Sequence, residues 1–285
     1  HVLTHTLHYG MGAFEGVRAY ETEDGPAIFR LDDHTNRLFN STKILGMKIP
    51  FSVESLNQAQ REVVVKNNLK SAYIRPMCFY GSEGMGLRAD NLKVHVMIAA
   101  WEWGAYLGED NMKNGIRIRT SSYARVHAHP SMAGAKTNGN YVNSMMALKE
   151  AQDHGFDEAL MLDSEGLVSE GSGENIFIIK DNILYTPHLT SALPGITRHT
   201  IFTLAKNLGY KIVEKNLNCD EIYNADEAFF TGTAAEITPI RDLDGNQIGA
   251  GTRGPLTEKL QTLYFDCVHG RNTDYLEWIN NGRCV

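Results

Sequence analysis

The sequence predicts an α+β fold, and three observations support this prediction. β-rich runs and helical patterns both recur, but they do not alternate strictly as β-α-β units do. The 285 residues suffice for one large domain or two smaller ones. A polar, glycine-containing stretch at 104–114 has no clear periodicity, so we interpret it as an interdomain linker.

The N-terminal part is predicted to contain strands, then two helices, then two further strands. Weak alternation predicts a strand from Val2 to Tyr9. The apolar spacing turns helical at Asp32, Gly46 ends that helix, and Ser52 has the character of an N-cap for the next one. The predicted elements are strands 2–9, 14–20 and 27–31, helices 32–45 and 52–68, and strands 72–80 and 94–103.

Beyond the predicted linker, strands and helices follow one another without a fixed order. The chain from residue 270 onward gives no clear prediction. The predicted elements are strand 116–122, helix 140–154, strand 158–163, hairpin region 167–186, helix 196–208, strands 210–214 and 227–232, β-rich stretch 235–248 and helix 255–268.

The composition narrows the function classes. Hydrophobic residues make up 42% and charged residues 21%, as in ordinary globular enzymes. The net charge of −7, from 27 Lys+Arg and 34 Asp+Glu, argues against nucleic-acid or anionic-membrane partners. No apolar run reaches the roughly 18 residues of a membrane span, and no signal peptide is visible. Four scattered cysteines without a C-x-x-C pair argue against a zinc site or disulfides and favour a reducing, cytoplasmic location.

Lys136 lies in the stretch AGAKTNGNYVNS at 133–144, among small and uncharged residues. No acidic side chain stands within a helical turn or two, and a helical pattern begins at Tyr141. An amine held in poor solvation loses its proton more readily and becomes a nucleophile. The simpler interpretation is a loop lysine that faces water, and the residues around Lys136 leave both open.

A second stretch, EGSGENIF at 170–177, places Glu170 before a Gly-Ser-Gly turn and an apolar strand. A carboxylate at such a position suits a fixed hydrogen-bond acceptor, although an ordinary turn explains the pattern equally well.

A third stretch, LPGITRHTIFTLAKNLG at 193–209, interrupts the chain with Pro194 and Gly195 and then begins a helix. The N–H groups of Ile196 and Thr197 would point at an anion, helped by the helix dipole. A helix end solvated by water is the alternative.

Three other patterns carry no function. GSEGMG at 81–86 does not have the order of a dinucleotide fingerprint. The Gly-Ser-Gly turn lacks the spacing of a nucleophile elbow. His127 and His129 have no third ligand nearby in sequence, so we predict no metal site.

Taken together, 133–144 and 170–177 resemble the class IV aminotransferases, which use pyridoxal 5'-phosphate. In that family, the lysine of a K-x-x-G-N-Y motif forms the Schiff base, and here it is Lys136. The glutamate that opens E-G-x-G-E-N-[IL]-F pairs with the pyridine nitrogen, and here it is Glu170. The G-N-Y form is similar to the branched-chain amino acid aminotransferases. D-amino acid aminotransferases and aminodeoxychorismate lyases resemble the stretch more loosely and remain alternatives.

The resemblance covers nearly the whole chain and implies a two-domain, fold-type IV architecture like that of the D-amino acid aminotransferases. A small N-terminal α/β domain would span 1–103, and a larger C-terminal α/β domain at 115–285 would bind the cofactor between the two. The implied reaction is reversible transfer of the amino group of L-Leu, L-Ile or L-Val to 2-oxoglutarate. A homo-oligomer built from dimers is also implied. Family members usually carry a short strand-forming segment before His1, so we expect a few N-terminal residues to be missing.

The resemblance further assigns roles to single residues. Tyr141 would hydrogen-bond the ring hydroxyl and act with Lys136 and Glu170. Phosphate ligands would be Arg37, Ile196, Thr197 and Thr233. Tyr73 and the amides of Thr233 and Ala234 would hold the substrate α-carboxylate, and Arg75 would bind the distal carboxylate of glutamate. The remaining implied substrate contacts are Tyr9, Phe14, Gly16, Trp103 and Tyr106 around the apolar side chain, with Met85 and Leu87 from the neighbouring subunit.

Two alternatives lie outside the family. Lys136 could serve as a Schiff-base lysine without a cofactor, as in an aldolase, or the chain could be a non-catalytic binding protein. A colourless protein that carries no phosphate would favour either one.

Overall fold

The computed structural model describes residues 1–88, 90–104, 107–125 and 134–284. The chain divides into two compact units. The N-terminal unit comprises His1–Trp103, Ala135–Tyr141 and Asp266–Val285, and the C-terminal unit comprises Gly104–Gly134 and Val142–Phe265. This grouping differs from the domains expected at 1–103 and 115–285, because two distant segments pack with the N-terminal residues. The domain boundaries themselves stay a prediction.

The N-terminal unit is built on a five-stranded antiparallel sheet. Its central strand is β4 (Ala72–Tyr80). This strand pairs along one edge with β1 (Gly12–Phe14) and β2 (Val17–Thr22), and along the other edge with β5 (Val94–Trp101). The elements are α1 His5–Tyr9, β1 Gly12–Phe14, β2 Val17–Thr22, β3 Gly25–Ile28, α2 Leu31–Ile44, α3 Val53–Lys66, β4 Ala72–Tyr80, β5 Val94–Trp101, and α9 Glu277–Asn280.

The two long helices of this unit bury one face each. Leu38 of α2 and Leu56 of α3 lie in one apolar cluster with Cys78 of the central strand. As predicted, α3 begins at an N-cap, since Ser52 Oγ accepts a hydrogen bond of 3.2 Å from the N–H of Ser55.

The prediction of a strand at 2–9 is wrong, because His5–Tyr9 forms the helix α1. Gly10 adopts a left-handed φ of 69°, and its N–H bonds back to the carbonyl of Thr6, which ends the helix. A stretch this short cannot separate an alternating pattern from a helical one by periodicity.

The C-terminal unit is built on a nine-stranded mixed sheet, in the order β11-β10-β9-β12-β13-β6-β7-β8, with β14 beside β13. Its apolar core includes Ile116, Leu160, Ile176 and Phe230. The elements are α4 Glu109–Asn114, β6 Ile116–Thr120, α5 Tyr141–Asp153, β7 Glu158–Leu162, β8 Val168–Gly171, β9 Asn175–Lys180, β10 Ile183–Thr186, α6 Ile196–Asn207, β11 Lys211–Glu214, α7 Cys219–Tyr223, β12 Glu227–Gly232, β13 Glu236–Leu243, β14 Asn246–Gln247 and α8 Pro255–Val268.

Two helices of this list were not predicted. The first, α4, lies within the stretch interpreted as a linker. The second, α7, begins at a capping box, in which Asn218 and Glu221 each bond the backbone of the other. Within the described ranges, no helix is both long and apolar enough to cross a membrane.

Candidate active site

The backbone around Lys136 is fixed by hydrogen bonds on both sides. Thr137 forms a β-bridge with Ala13, and the N–H of Phe14 donates to the carbonyl of Lys136 at 3.1 Å. The N–H of Lys136 donates to Ser41 Oγ of α2 at 3.0 Å. The lysine therefore lies in a short extended segment that is bonded to the first strand and to the first long helix of the N-terminal unit.

The amine of Lys136 lies against two aromatic rings. Its Nζ is 2.6 Å from the hydroxyl of Tyr141 and 5.1 Å from the ring centroids of both Phe14 and Tyr141. The two rings are themselves in contact, with centroids 4.8 Å apart. Among the described residues, no carboxylate forms an ion pair with Nζ. A half-buried amine that is oriented by a phenol and lacks an acidic partner is suited to nucleophilic and acid–base chemistry.

Helix α2 presents Arg37 beside this lysine segment. Arg37 Nε and Nη2 donate to the two oxygens of Glu15 at 2.7 and 2.8 Å, and His34 Nδ1 lies 2.8 Å from Glu15 Oε2. Burial lowers the pKa of Arg37, but Glu15, Tyr141 and Tyr73 outweigh burial and raise it. Arg37 is therefore a fixed positive charge near the phenols of the site.

Five residues predicted to contact the substrate lie together in the N-terminal unit: Phe14, Gly16, Tyr73, Arg75 and Trp103. The rings of Tyr73 and Trp103 are 4.5 Å apart, and Arg75 stacks 4.5 Å from the Phe14 centroid while donating to the Tyr73 hydroxyl at 3.2 Å. A Cβ at position 16 would lie 2.1 Å from that hydroxyl. Glycine is thus required at 16 for the tyrosine to hold this position.

Tyr9 lies beside a different loop. Its hydroxyl accepts a hydrogen bond of 3.2 Å from the N–H of Gly86, which separates Met85 from Leu87. Met85 and Leu87 are 48% and 90% exposed, and their contact with a neighbouring subunit stays a prediction. Tyr106, together with His127 and His129, lies outside the described residues.

In the C-terminal unit, Glu170 is buried at the end of β8 with a cation beside it. Arg125 Nη2 forms an ion pair with Glu170 Oε1 at 2.6 Å, while Oε2 accepts bonds from the N–H of Leu193 at 3.1 Å and from Asn175 Nδ2 at 3.4 Å. Arg125 also donates to Ser144 of α5 at 2.8 Å. These contacts fix the position of the carboxylate and place a guanidinium beside it.

The start of α6 and the turn after β12 lie at the same end of the sheet as Glu170. Asn175 joins them, because its Nδ2 also donates to the carbonyl of Leu193 at 2.9 Å. The N-cap of α6 is Gly195, which supplies no side chain to the helix end. The turn that carries Thr233 and Ala234 starts at Gly232, where a Cβ would lie 3.6 Å from the carbonyl oxygen of Gly173.

Sequence reasoning did not identify Glu15, His34, Ser41 or Arg125. Glu15 offered a signal, since it is a carboxylate directly between two predicted substrate contacts, Phe14 and Gly16. Arg125 offered none, because its stretch has no periodicity and its partner is distant in sequence.

Comparisons with known proteins find one matching family and several similar aminotransferases. The family described as amino-transferase class IV matches residues 12–243. A branched-chain-amino-acid aminotransferase of Pseudomonas aeruginosa is 65% identical over 278 residues, which cover 98% of this chain and 91% of the relative. One of Escherichia coli strain K12 is 45% identical over 282 residues, with coverages of 98% and 91%.

Solved structures agree. A branched-chain amino acid aminotransferase of T.th., solved with pyridoxamine 5'-phosphate, matches with a TM-score of 0.95 and 48% identity, covering 98% of this chain and 92% of that one. The Escherichia coli enzyme matches with a TM-score of 0.96 and 44% identity, covering 100% and 94%.

Proposed function

The chain belongs to the class IV aminotransferases, and on that premise we propose how its residues carry out branched-chain amino acid transamination. It moves the amino group of L-leucine, L-isoleucine or L-valine to 2-oxoglutarate, giving the branched 2-oxo acid and L-glutamate. The relatives described above bear the name of this activity. A cofactor-free aldolase and a non-catalytic binding protein are thereby set aside.

The residues present fit pyridoxal 5'-phosphate, and the fit rests on the kind of donors they offer. Lys136 supplies an amine without a carboxylate partner among the described residues, and Glu170 supplies a buried carboxylate. For the phosphate, Arg37 offers a fixed guanidinium, Thr233 a hydroxyl, and the helix that begins at Ile196 offers its N-terminal amides, with Thr197 in the first turn.

When bound, pyridoxal 5'-phosphate supplies an aldehyde that links covalently to an amino group and a ring that withdraws electrons from the substrate Cα. Lys136 takes the Cα proton at Nζ as a general base and returns a proton as a general acid. The hydroxyl of Tyr141, 2.6 Å from Nζ, orients the amine for this transfer. Glu170, held by Arg125, would accept a hydrogen bond from the ring nitrogen and so favour a proton on that atom.

One pocket must accept both a branched apolar side chain and the carboxylate of glutamate. Phe14 and Trp103 offer apolar walls, while Arg75 offers a guanidinium at the same place. Tyr73, with the amides of Thr233 and Ala234, holds the α-carboxylate that all these substrates share. Gly16 leaves the space that the Tyr73 hydroxyl occupies. On the family resemblance alone, we also assign Tyr9 and Tyr106 to the wall around the apolar side chain.

We further assign a homo-oligomer built from dimers, in which Met85 and Leu87 of one subunit complete the site of another. Their exposure of 48% and 90% supports this assignment. We assign a cytoplasmic location, which the four unpaired cysteines support.

The observation that carries the proposal is the contact between Lys136 Nζ and the Tyr141 hydroxyl, and Lys136→Ala tests it. We expect the variant to lose the visible absorption of the bound cofactor and at least about 10³-fold in kcat with L-leucine and 2-oxoglutarate. Lys149→Ala is the matched control, since this exposed lysine of α5 pairs only with Asp153 among the described residues. An unaltered absorption band in Lys136→Ala refutes the lysine assignment, and activity confined to D-alanine refutes the substrate assignment.

A further inference from the structure

Glu15 is fully buried and forms bonds to two residues of one helix. Its two oxygens receive a bidentate pair of bonds from Arg37, and Oε2 also contacts Nδ1 of His34. His34 and Arg37 are three residues apart on α2, so both face the same side of the helix. The carboxylate therefore links the β1–β2 connection to the helix that carries the predicted phosphate ligand.

The charges within this group are well defined. Burial alone would raise the pKa of Glu15, but Arg37 and His34 lower it to about 2. Burial lowers the pKa of His34 more than Glu15 raises it. At neutral pH the group thus consists of one carboxylate, one guanidinium and a neutral imidazole that donates Nδ1–H to Glu15.

The bidentate bonds between Arg37 and Glu15 fix the direction of the guanidinium as well as pairing its charge. A guanidinium is planar and has five N–H donors, so a bidentate bond through Nε and Nη2 sets the plane in which the other donors point. The backbone of Glu15 is fixed in turn, because its N–H donates to the carbonyl of Pro76 on the central strand at 2.8 Å.

We propose that Glu15, supported by His34, is a positioning residue that aims the guanidinium of Arg37 at the phosphate of the cofactor. This inference rests on the proposed function. It assigns a role to a residue that contacts neither cofactor nor substrate and acts only through Arg37.

The direction in which Glu15→Gln changes phosphate binding distinguishes a positioning role from a simple charge effect. Glu15→Gln removes a negative charge next to a phosphate ligand, and by charge alone phosphate binding would become tighter. If the carboxylate positions Arg37, the guanidinium loses its fixed direction and phosphate binding becomes weaker.

The experiment titrates apo protein with pyridoxal 5'-phosphate and with pyridoxal, which lacks the phosphate, and compares the two dissociation constants by absorbance. For Glu15→Gln we expect the preference for the phosphorylated form to fall about tenfold to a hundredfold. Glu15→Asp keeps the charge but withdraws the carboxylate, so it should also lose preference, and it serves if the glutamine variant does not fold. An unchanged or increased preference in both variants overturns the proposal.

Two further proteins complete the design. Thr35→Val removes the buried hydrogen bonds that join α2 to Asn57 and Gln60 of α3. It should lower thermal stability without changing the preference ratio.

In an Arg37→Met background, Glu15→Gln should have no additional effect on the ratio, because the residue through which it acts is absent. An additive loss in that background overturns the proposal. If the wild-type protein itself shows no preference for the phosphorylated form, the proposed function fails instead.

Discussion

At the residue scale, the guanidinium of Arg75 stands out because its Nε atom is buried and has no hydrogen-bond partner among the described residues. A buried donor without a partner is costly, and a substrate carboxylate bound at this atom would offset that cost. The position of Arg75 over the Phe14 ring places the donor within the predicted substrate pocket.

We predict that Arg75→Lys separates the two substrates. The planar fork that binds a carboxylate is lost, so kcat/KM for 2-oxoglutarate should fall roughly 10- to 100-fold. The value for L-leucine, which brings no distal carboxylate, should change less than about threefold. Steady-state kinetics with each substrate varied in turn measures both values, and Arg61→Lys on α3 is the control. Equal losses for both substrates contradict the assignment.

Glu158 gives a second prediction at this scale. It is fully buried on β7, and burial raises its pKa to about 7 although hydrogen bonds with Ala159 and Ser172 oppose the shift. The folded protein therefore keeps a proton that the unfolded chain loses once the pH passes the ordinary value of 4.5. Stability must fall as the pH rises from about 4.5 to about 7.

Replacing Glu158 by Gln should remove this dependence. We expect the free energy of unfolding of the wild type to fall by roughly 3 kcal/mol between about pH 4.5 and pH 7 because of Glu158. Urea denaturation at several pH values measures the slope, and Glu165→Gln in an exposed turn is the control. A slope that is the same in Glu158→Gln and in the wild type would show that another group is responsible.

At the element scale, the start of α6 depends on a glycine. A Cβ at position 195 would lie 2.0 Å from Asn175 Oδ1, and Asn175 is also a hydrogen-bond partner of Glu170. One methyl group at this helix end would therefore displace the support of the carboxylate predicted to hold the cofactor ring.

We predict that Gly195→Ala weakens binding of pyridoxal 5'-phosphate by about tenfold or more, since small displacements of positioned groups are costly. Gly173→Ala is the matched control, because a Cβ there would contact nothing within 4 Å among the described residues. Equilibrium titration of the apo proteins measures both. Equal affinity in the two variants would show that α6 does not require glycine at its start.

Elements with a strong pattern were predictable from the sequence. The bounds of β4, β12 and α8 coincide with those predicted, because aromatic and β-branched residues mark the two strands and helical spacing of apolar residues marks α8. For the five-residue helix α1 the sequence wrongly predicts a strand, because so few residues fit both the helical and the strand period. Contacts between distant segments carry no local signal. The ion pair of Glu170 with Arg125 and the bridge of Ala27 with Arg283 belong to this class.

The candidate site divides in the same way. The sequence predicts roles for Lys136 and Glu170 because each lies in a compact motif of characteristic residues. Glu15, which bonds Arg37, and Ser41, which bonds the backbone of Lys136, carry no such motif, because a carboxylate between two strands and a serine in a helix acquire these contacts only from tertiary neighbours.

At the scale of the whole molecule, helix α5 has an exposed apolar face among the described residues. Val142, Met145 and Met146 are 65%, 68% and 44% exposed. Adjacent exposed apolar side chains mark interaction sites, so this face supports the proposed oligomer.

We predict that Met145→Glu weakens self-association by about tenfold or more, because a charge is placed in an apolar interface. Specific activity should then fall on dilution, since Met85 and Leu87 of a neighbour would no longer complete the site. Gln152→Glu, on an exposed polar position of the same helix, is the control. Sedimentation and activity across a range of concentrations measure both effects. A variant that stays associated and active on dilution excludes this face.

Residues 266–285 belong to the N-terminal unit, and this grouping affects how that unit folds during synthesis. The N–H of Ile28 bonds to the carbonyl of Gly282, and the N–H of Cys284 bonds to that of Pro26, so β3 lacks these partners until residues 282–284 have been synthesised. The N-terminal unit, which contains Lys136, is therefore synthesised in segments that both precede and follow those of the C-terminal unit. Nascent chains stalled before residue 266 should accordingly remain sensitive to protease in their earliest segment.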